Sequence, residues 1–166
     1  MLKSGVTISK DETASLLKAI KALTSKQVLV GVPDSTAERE PVEGESPGLS
    51  NAAIGYIQEK GAPEANIPAR PFLEPGVAGA KDQIAARFKS GAKSALTGDL
   101  EAVDATLNAV GLMGRNAARA KITDGPFAPL KPSTLANRKR RGRSGERPLI
   151  DTSQLRRALT YVIRGK

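Results

Sequence analysis

The final third of the chain is punctuated by prolines and helix-starting residues in an order that leaves few ways to fold it. Pro126, Pro129 and Pro132 fix the backbone around Phe127 and Leu130, because each ring locks φ and biases the preceding residue toward extended conformations. Ser133-Thr134-Leu135 then caps a short helix through Arg140. The basic run Arg138-Lys139-Arg140-Arg141 ends at Gly142, and Pro148-Leu149-Ile150 leads to Asp151 or Thr152 as the cap of another helix. Leu159-Thr160-Tyr161-Val162-Ile163 alternates as a strand does. Turn, helix, basic loop, helix and strand follow one another without a catalytic set among them. The segment reads as a device for holding a position beside something negatively charged.

The rest of the chain must supply a core without much aromatic mass. Aromatics make up 3% of the 166 residues and Trp is absent, so Leu, Ile, Val and Ala carry the burial. Such a core favours helices packed on a small sheet, within one domain spanning residues 1–166. Ser9 to Thr24 reads as a helix with Leu16, Leu17, Ile20 and Leu23 on one face, and Asp11 and Glu12 in its first turn. Gly5 to Ile8 is a candidate strand. Gln27 to Val32 is a buried strand stopped by Pro33.

Residues 34–50 read as a flexible acidic loop, with Glu38, Glu40, Glu43 and Glu45 set among Pro and Gly. Ser50 caps a helix that runs to Lys60 and stops at Gly61, with Ala53, Ile54 and Ile57 on its apolar face. Asn66 to Gly76 reads as an extended Pro-rich arm anchored by Phe72 and Leu73. Val77 to Leu96 is helical. A break at Thr97-Gly98-Asp99 precedes a second helix to about Lys121, and the two can join as one kinked helix. Gly111 and Gly114 weaken that second helix by roughly 1 kcal/mol each, which reads either as close approach by another element or as tolerated weakness. The expected fold is α+β: a small antiparallel sheet holding Gln27–Val32 and Leu159–Ile163, packed by several helices, with the extended arm and the acidic loop.

Enzymatic chemistry has little to work with. Cys and His are both absent, which removes thiolate nucleophiles, imidazole bases, catalytic triads and the common zinc sites. Glu101 and Asp104, three apart, suit a helix first turn better than an acid–base pair. There is no phosphate-cradling Gly-rich motif and no calcium-loop pattern. The expectation is a protein that is not an enzyme and has no cofactor or metal. The sequence also shows no signal peptide and no apolar run long enough for a membrane span.

Charge is unevenly placed. The net charge is +9, yet residues 1–80 carry 8 Lys/Arg and 10 Asp/Glu, while residues 81–166 carry 18 and 7. Arg138, Lys139, Arg140, Arg141, Arg143 and Arg147 fall within residues 138–147, against the single acid Glu146. Gly142, Ser144 and Gly145 make this a flexible exposed loop suited to phosphate contact without base reading. No aromatic is interleaved, which disfavours stacking on single-stranded bases. A solvated loop, or a contact to an acidic protein surface such as the Glu38–Glu45 loop of another copy, fits the same composition.

Taken in order, Ile67-Pro68-Ala69-Arg70-Pro71-Phe72-Leu73, Phe127-Ala128-Pro129-Leu130 with Pro132-Ser133-Thr134, the Arg/Lys-Gly loop, Pro148 to Leu155 and the closing Thr160-Tyr161-Val162 resemble tailed-phage virion morphogenesis proteins. They are similar to the neck and tail-completion family of Mu-like and lambda-like phages, over roughly Gln27 to Ile163. Ser153 stands where that family often has Gly, and the acidic insert of residues 34–50 is not part of its pattern. The resemblance implies a ring-forming structural protein of the phage head–tail junction, joining tail to head around the DNA channel. It would be made in the host cytoplasm and carried in the virion. Its implied partners are itself, other neck, portal-proximal or tail proteins, and genomic double-stranded DNA. Arg138 to Arg147 would face the DNA or an acidic neighbour, and Arg70, Phe72 and Leu73 would lie at the subunit interface. Two other readings stand beside it: a small nucleic-acid-binding accessory protein, and another ring component such as a head-closure or tail-terminator protein.

Overall fold

The computed structural model describes residues 13–40 and 48–166. In chain order these form helix α1 (Thr13–Thr24), strand β1 (Lys26–Gly31), a single 3-10 turn at Asp34–Thr36, helix α2 (Asn51–Lys60) and a second 3-10 turn at Pro63–Ala65. Helices α3 (Leu73–Gly79), α4 (Lys81–Leu96), α5 (Glu101–Asp124), α6 (Pro132–Arg140) and α7 (Gln154–Ala158) follow, then strand β2 (Thr160–Gly165). The fold is α+β. The expected strand at Gly5–Ile8, the helix start at Ser9–Glu12 and the middle of the acidic loop, residues 41–47, lie outside the described residues.

Both expected strands pair with one another, antiparallel, with Val28 opposite Ile163 and Val30 opposite Tyr161. One face of this two-stranded sheet lies on α5, and the contact depends on two glycines of that helix. A Cβ on Gly111 would collide with the Tyr161 ring, and one on Gly114 would come within 2.9 Å of Val30. The Tyr161 hydroxyl then donates to Asn108 Oδ1 at 2.9 Å, one turn earlier on α5. The helical weakness visible in the sequence is therefore where the sheet seats.

Helix α5, at 24 residues, is about 36 Å long and organises the molecule. The break at Thr97–Asp99 is a turn in which Gly98 takes φ 105°, a conformation that favours glycine. It sends α4 back along α5 as a helical hairpin, so the two do not continue as one kinked helix. Gly91 of α4 packs against Thr106 of α5, and Gly76 of α3 lies so close that its Cβ would sit 2.8 Å from Ala118 Cα. Gly125 and Pro126 end α5, with the Gly125 amide bonded to the Lys121 carbonyl at 2.8 Å.

Two cores result. Ala19, Ala95, Val103 and Leu107, with Leu23, Val28 and Ile163 against them, fill the first. Phe72, Ala118, Ile122, Leu149, Leu155 and Leu159 fill the second. Phe72 and Leu159 are almost wholly inaccessible, and each such side chain contributes about 2–3 kcal/mol by leaving water. Leu107 and Ala118, the facing members of the two cores on α5, are eleven residues apart, which is about 16 Å along the helix. Beside the first core, most of the apolar stripe of α1 is left bare: Leu16, Leu17 and Ile20 are 43%, 61% and 43% exposed.

The Pro-rich segment is not a projecting arm. Gly61 (φ 78°) ends α2, its amide bonded to the Ile57 carbonyl, and an isolated bridge between Ala62 and Ile67 reverses the chain. The segment then runs back beside α2, with the Arg70 amide 2.6 Å from the Gln58 carbonyl. It enters α3 at Leu73 instead of remaining extended to Gly76. The prolines do exclude helix up to Pro71. They do not make the segment stand free, because Glu59 captures its end. One carboxylate oxygen of Glu59 accepts from the amides of Phe72 (2.7 Å) and Leu73 (2.9 Å), and the other from Glu74 (3.0 Å). A helix N-terminus leaves such amides without intrahelical partners, and here a distant side chain satisfies them.

The described ends of the acidic loop are tied down. Thr36 Oγ1 donates to the Ala158 carbonyl at 2.8 Å, and Asn51 Nδ2 to the Glu38 carbonyl at 2.8 Å. Gln154 accepts from the Glu40 amide and donates to its carbonyl.

Candidate functional site

The basic cluster divides into arginines that build the loop and cations that the loop carries outward. Arg138, in the last turn of α6, is 7% exposed. Its Nη1 donates to the carbonyls of Gly145 (2.7 Å), Arg147 (2.9 Å) and Ile150 (3.1 Å), and its Nη2 to that of Pro148 (3.3 Å). Its Nε lies 3.5 Å from Asp151 Oδ1. Only a guanidinium offers five donors in a fixed plane, and the segment from Gly145 to Ile150 is wound around this one. Its donors are committed inside the chain, so the expected contact of Arg138 with DNA or a partner gives way to a structural role.

Arg143 and Arg147 also brace the loop. Arg143 Nη1 stands 2.7 Å from Asp151 Oδ2, and Arg147 Nη1 donates to the Thr123 carbonyl at 3.0 Å, tying the loop to the end of α5. Asp151 is therefore an ion-pair partner and not a helix cap. Helix α7 starts after Ser153, whose side chain makes no capping bond. Helix α6 likewise starts with Pro132 in its first turn after Lys131, not with Ser133 as its cap. Proline suits that place because its missing N–H costs nothing there.

Lys139, Arg140 and Arg141 stay exposed. They follow one another at the C-terminal end of α6, where the carbonyl ends of the helix favour cations. Arg140 also bonds Asn137 Oδ1. With Arg147, which is exposed as well, they are the part of the cluster open to solvent.

Arg70, Phe72 and Leu73 are used within the chain. Phe72 is 2% exposed at the centre of the second core, and Leu73 packs against that core. Arg70, 5% exposed, donates from Nε to the Ala128 carbonyl (2.9 Å), from Nη1 to Gln58 Oε1 (3.2 Å) and from Nη2 to the Pro129 carbonyl (3.2 Å). Burial pushes its guanidinium below the ordinary arginine range, and Arg138 adds to the shift. The side chains expected at a subunit interface instead join the Pro-rich segment to the proline turn after α5.

Between α2, α6 and the loop lies a cleft of about 220 Å³. Arg70, Arg138, Arg141 and Arg143 line it together with Gln58 and Asn137, and among the described residues Asp151 is its one carboxylate. Sequence reading found most of these arginines but not their convergence, and it passed over Gln58, Glu59 and Arg119. Arg119 Nη2 donates to the carbonyls of Arg157 (3.0 Å) and Leu159 (2.7 Å), holding the start of β2 to α5. Burial, then Arg115 and Arg156, lower its pKa.

Asp104 pairs with Lys26 at 2.5 Å and both are exposed, a pairing worth little. No group of three or more His, Cys, Asp or Glu among the described residues is placed to hold a metal ion. No described helix is long and apolar enough to cross a membrane. No family model, curated protein or solved structure matches the chain.

Proposed function

We propose that this chain is a structural subunit of the tailed-phage head–tail junction, a neck or tail-completion protein that forms a ring around the DNA channel. One observation carries the reading: the segments behind the resemblance, far apart in sequence, assemble into one unit. Arg70 of the first segment holds the Ala128 and Pro129 carbonyls of the second. Phe72, Phe127, Leu149 and Leu155 meet in one core. Arg138 and Arg143 secure Asp151 of the last segment.

The surfaces suit a ring subunit. Such a subunit needs a face for its neighbours and a face for the channel or an adjoining ring. The bare stripe Leu16, Leu17 and Ile20 lies by the first core, and exposed Lys139, Arg140 and Arg141 lie beyond the second. A helix of about 36 Å runs between them. In this reading the apolar stripe buries against a neighbouring copy, and the three cations face DNA or an acidic partner.

The triple variant Lys139→Glu, Arg140→Glu, Arg141→Glu tests it in the phage setting. The variant should fold as the parent does, because all three side chains are exposed, and infectious particles should be lost. Normal infectivity, or a parent chain that stays monomeric at high concentration and is missing from particles, would defeat the reading. The same three exposed cations also favour a nucleic-acid-binding accessory protein. For that reading the isolated monomer should bind duplex DNA tightly, with affinity falling steeply as salt rises.

A further inference from the structure

Helix α5 carries a line of arginines along one side. Arg115 and Arg119 stand one turn apart, and Arg147 reaches the next turn by donating to the Thr123 carbonyl. Successive positions are about 6 Å apart along the helix axis. Arg156 of α7 joins them from the side, because Arg119 Nη2 holds the carbonyl of the next residue, Arg157. That bond and one to the Leu159 carbonyl fix Arg119 in place, while its Nη1 is neither bonded within the chain nor buried. Arg115 bonds only the Asn116 side chain beside it, and Arg156 and Arg147 are exposed. None of the four enters an ion pair among the described residues. Glu40, close by, pairs with Arg157, and Asp124 lines a groove on another side of α5 with Ala117 and Ala120. Burial and then the charges of Arg115 and Arg156 lower the pKa of Arg119, as expected where like charges gather.

We infer that this line, Arg115, Arg119, Arg147 and Arg156, is a contact for the phosphate backbone of duplex DNA, separate from the exposed cations at the end of α6. Each strand of a duplex carries a phosphate about every 3.4 Å along the axis. The line, about 12 Å long on α5, therefore runs past three or four of them. Guanidinium groups match phosphate oxygens with two parallel N–H bonds. Neither α5 nor α7 carries an aromatic ring, which favours duplex phosphates over the stacked bases of a single strand. Leu112 is the large exposed apolar side chain of α5, too little for the apolar centre that a protein interface needs. The inference stands apart from the head–tail reading, because it concerns the isolated chain whether or not that chain assembles.

The full chain would be titrated with two unrelated DNA duplexes of about 20 base pairs, between about 50 and 200 mM salt. The parent should bind both alike, since phosphates carry no sequence. Its affinity should lie in the range of non-specific contacts, about 1–100 μM at physiological salt, short of the tight binding expected of a nucleic-acid-binding accessory protein. Arg115→Ala and Arg156→Ala are the informative variants, because neither side chain braces a distant part of the chain. Each should lower affinity roughly eightfold at about 0.1 M salt and lessen the slope of log affinity against log salt by about one. Arg156→Lys, which keeps the charge, should keep the slope. Melting temperatures should match the parent's, and either alanine variant covers a failure of the other to fold. A parent chain that leaves the duplex unbound at about 50 mM salt would overturn the inference and leave the line to an acidic protein. Alanine variants equal to the parent in affinity and slope, beside a Lys139→Glu, Arg140→Glu, Arg141→Glu chain that binds no duplex, would overturn it as well. The end of α6 would then be the whole contact. Neither result bears on the head–tail reading, which particles and infectivity decide.

Discussion

At position 153 the backbone takes φ 60° and ψ 7°, the left-handed region, where a side chain costs about 1 kcal/mol. Serine occupies it without compensation, since its hydroxyl makes no capping bond. Glycine would take the same conformation without that cost. Ser153→Gly should therefore raise unfolding stability by about 0.5–1 kcal/mol, part of the gain being offset by the freer unfolded chain. Urea denaturation would read it directly as a higher midpoint with an unchanged slope. Arg138 lies at the other extreme. Arg138→Met strips a partner from four carbonyls and takes one of the two arginines from Asp151. It should cost about 3 kcal/mol, whereas Lys139→Ala, one residue on and exposed, should stay within about 0.5 kcal/mol. The contrast, measured in the same titration, separates the loop's framework from its outward charge.

Among the elements, α3 depends most on a distant group. Its N-terminal amides are held by Glu59, at the end of α2. Glu59→Ala should cost about 2 kcal/mol, the range of a lost cap with charged hydrogen bonds, and amide exchange should rise first at Phe72 to Glu74. That dependence also explains why the start of α3 was not legible in the sequence. Local signals there are prolines, which argue for extension, and the capping carboxylate comes from fourteen residues back. By contrast, β1 and β2 are short apolar runs with a proline or turn beside them. Helix α2 has its own signals at both ends, with Ser50 Oγ accepting from the Ala53 amide and Gly61 as the stop. These elements were legible because their causes are local. The glycines of α5 announced a close approach but not its partner, which is Tyr161 in one case and Val30 in the other. The candidate site was half legible for a similar reason. Composition shows how many arginines there are, but only the tertiary path of residues 142–151 shows that Arg138 turns inward.

For the molecule as a whole, α5 runs through both hydrophobic clusters: Val103 and Leu107 belong to one, Ala118 and Ile122 to the other. The segment of β1 and the residue after it also touch both, with Val28 against the first cluster and Val32 against the second. Neither cluster can come apart without freeing a face of the same helix and the same strand. Melting should accordingly be all-or-none, with calorimetric and van't Hoff enthalpies equal, and two resolved heat-absorption peaks would contradict it. In the proposed ring, such indivisibility would have a mechanical meaning: a pull on the arginine-bearing end reaches the far end through one continuous rod, so the chain yields as a unit or not at all.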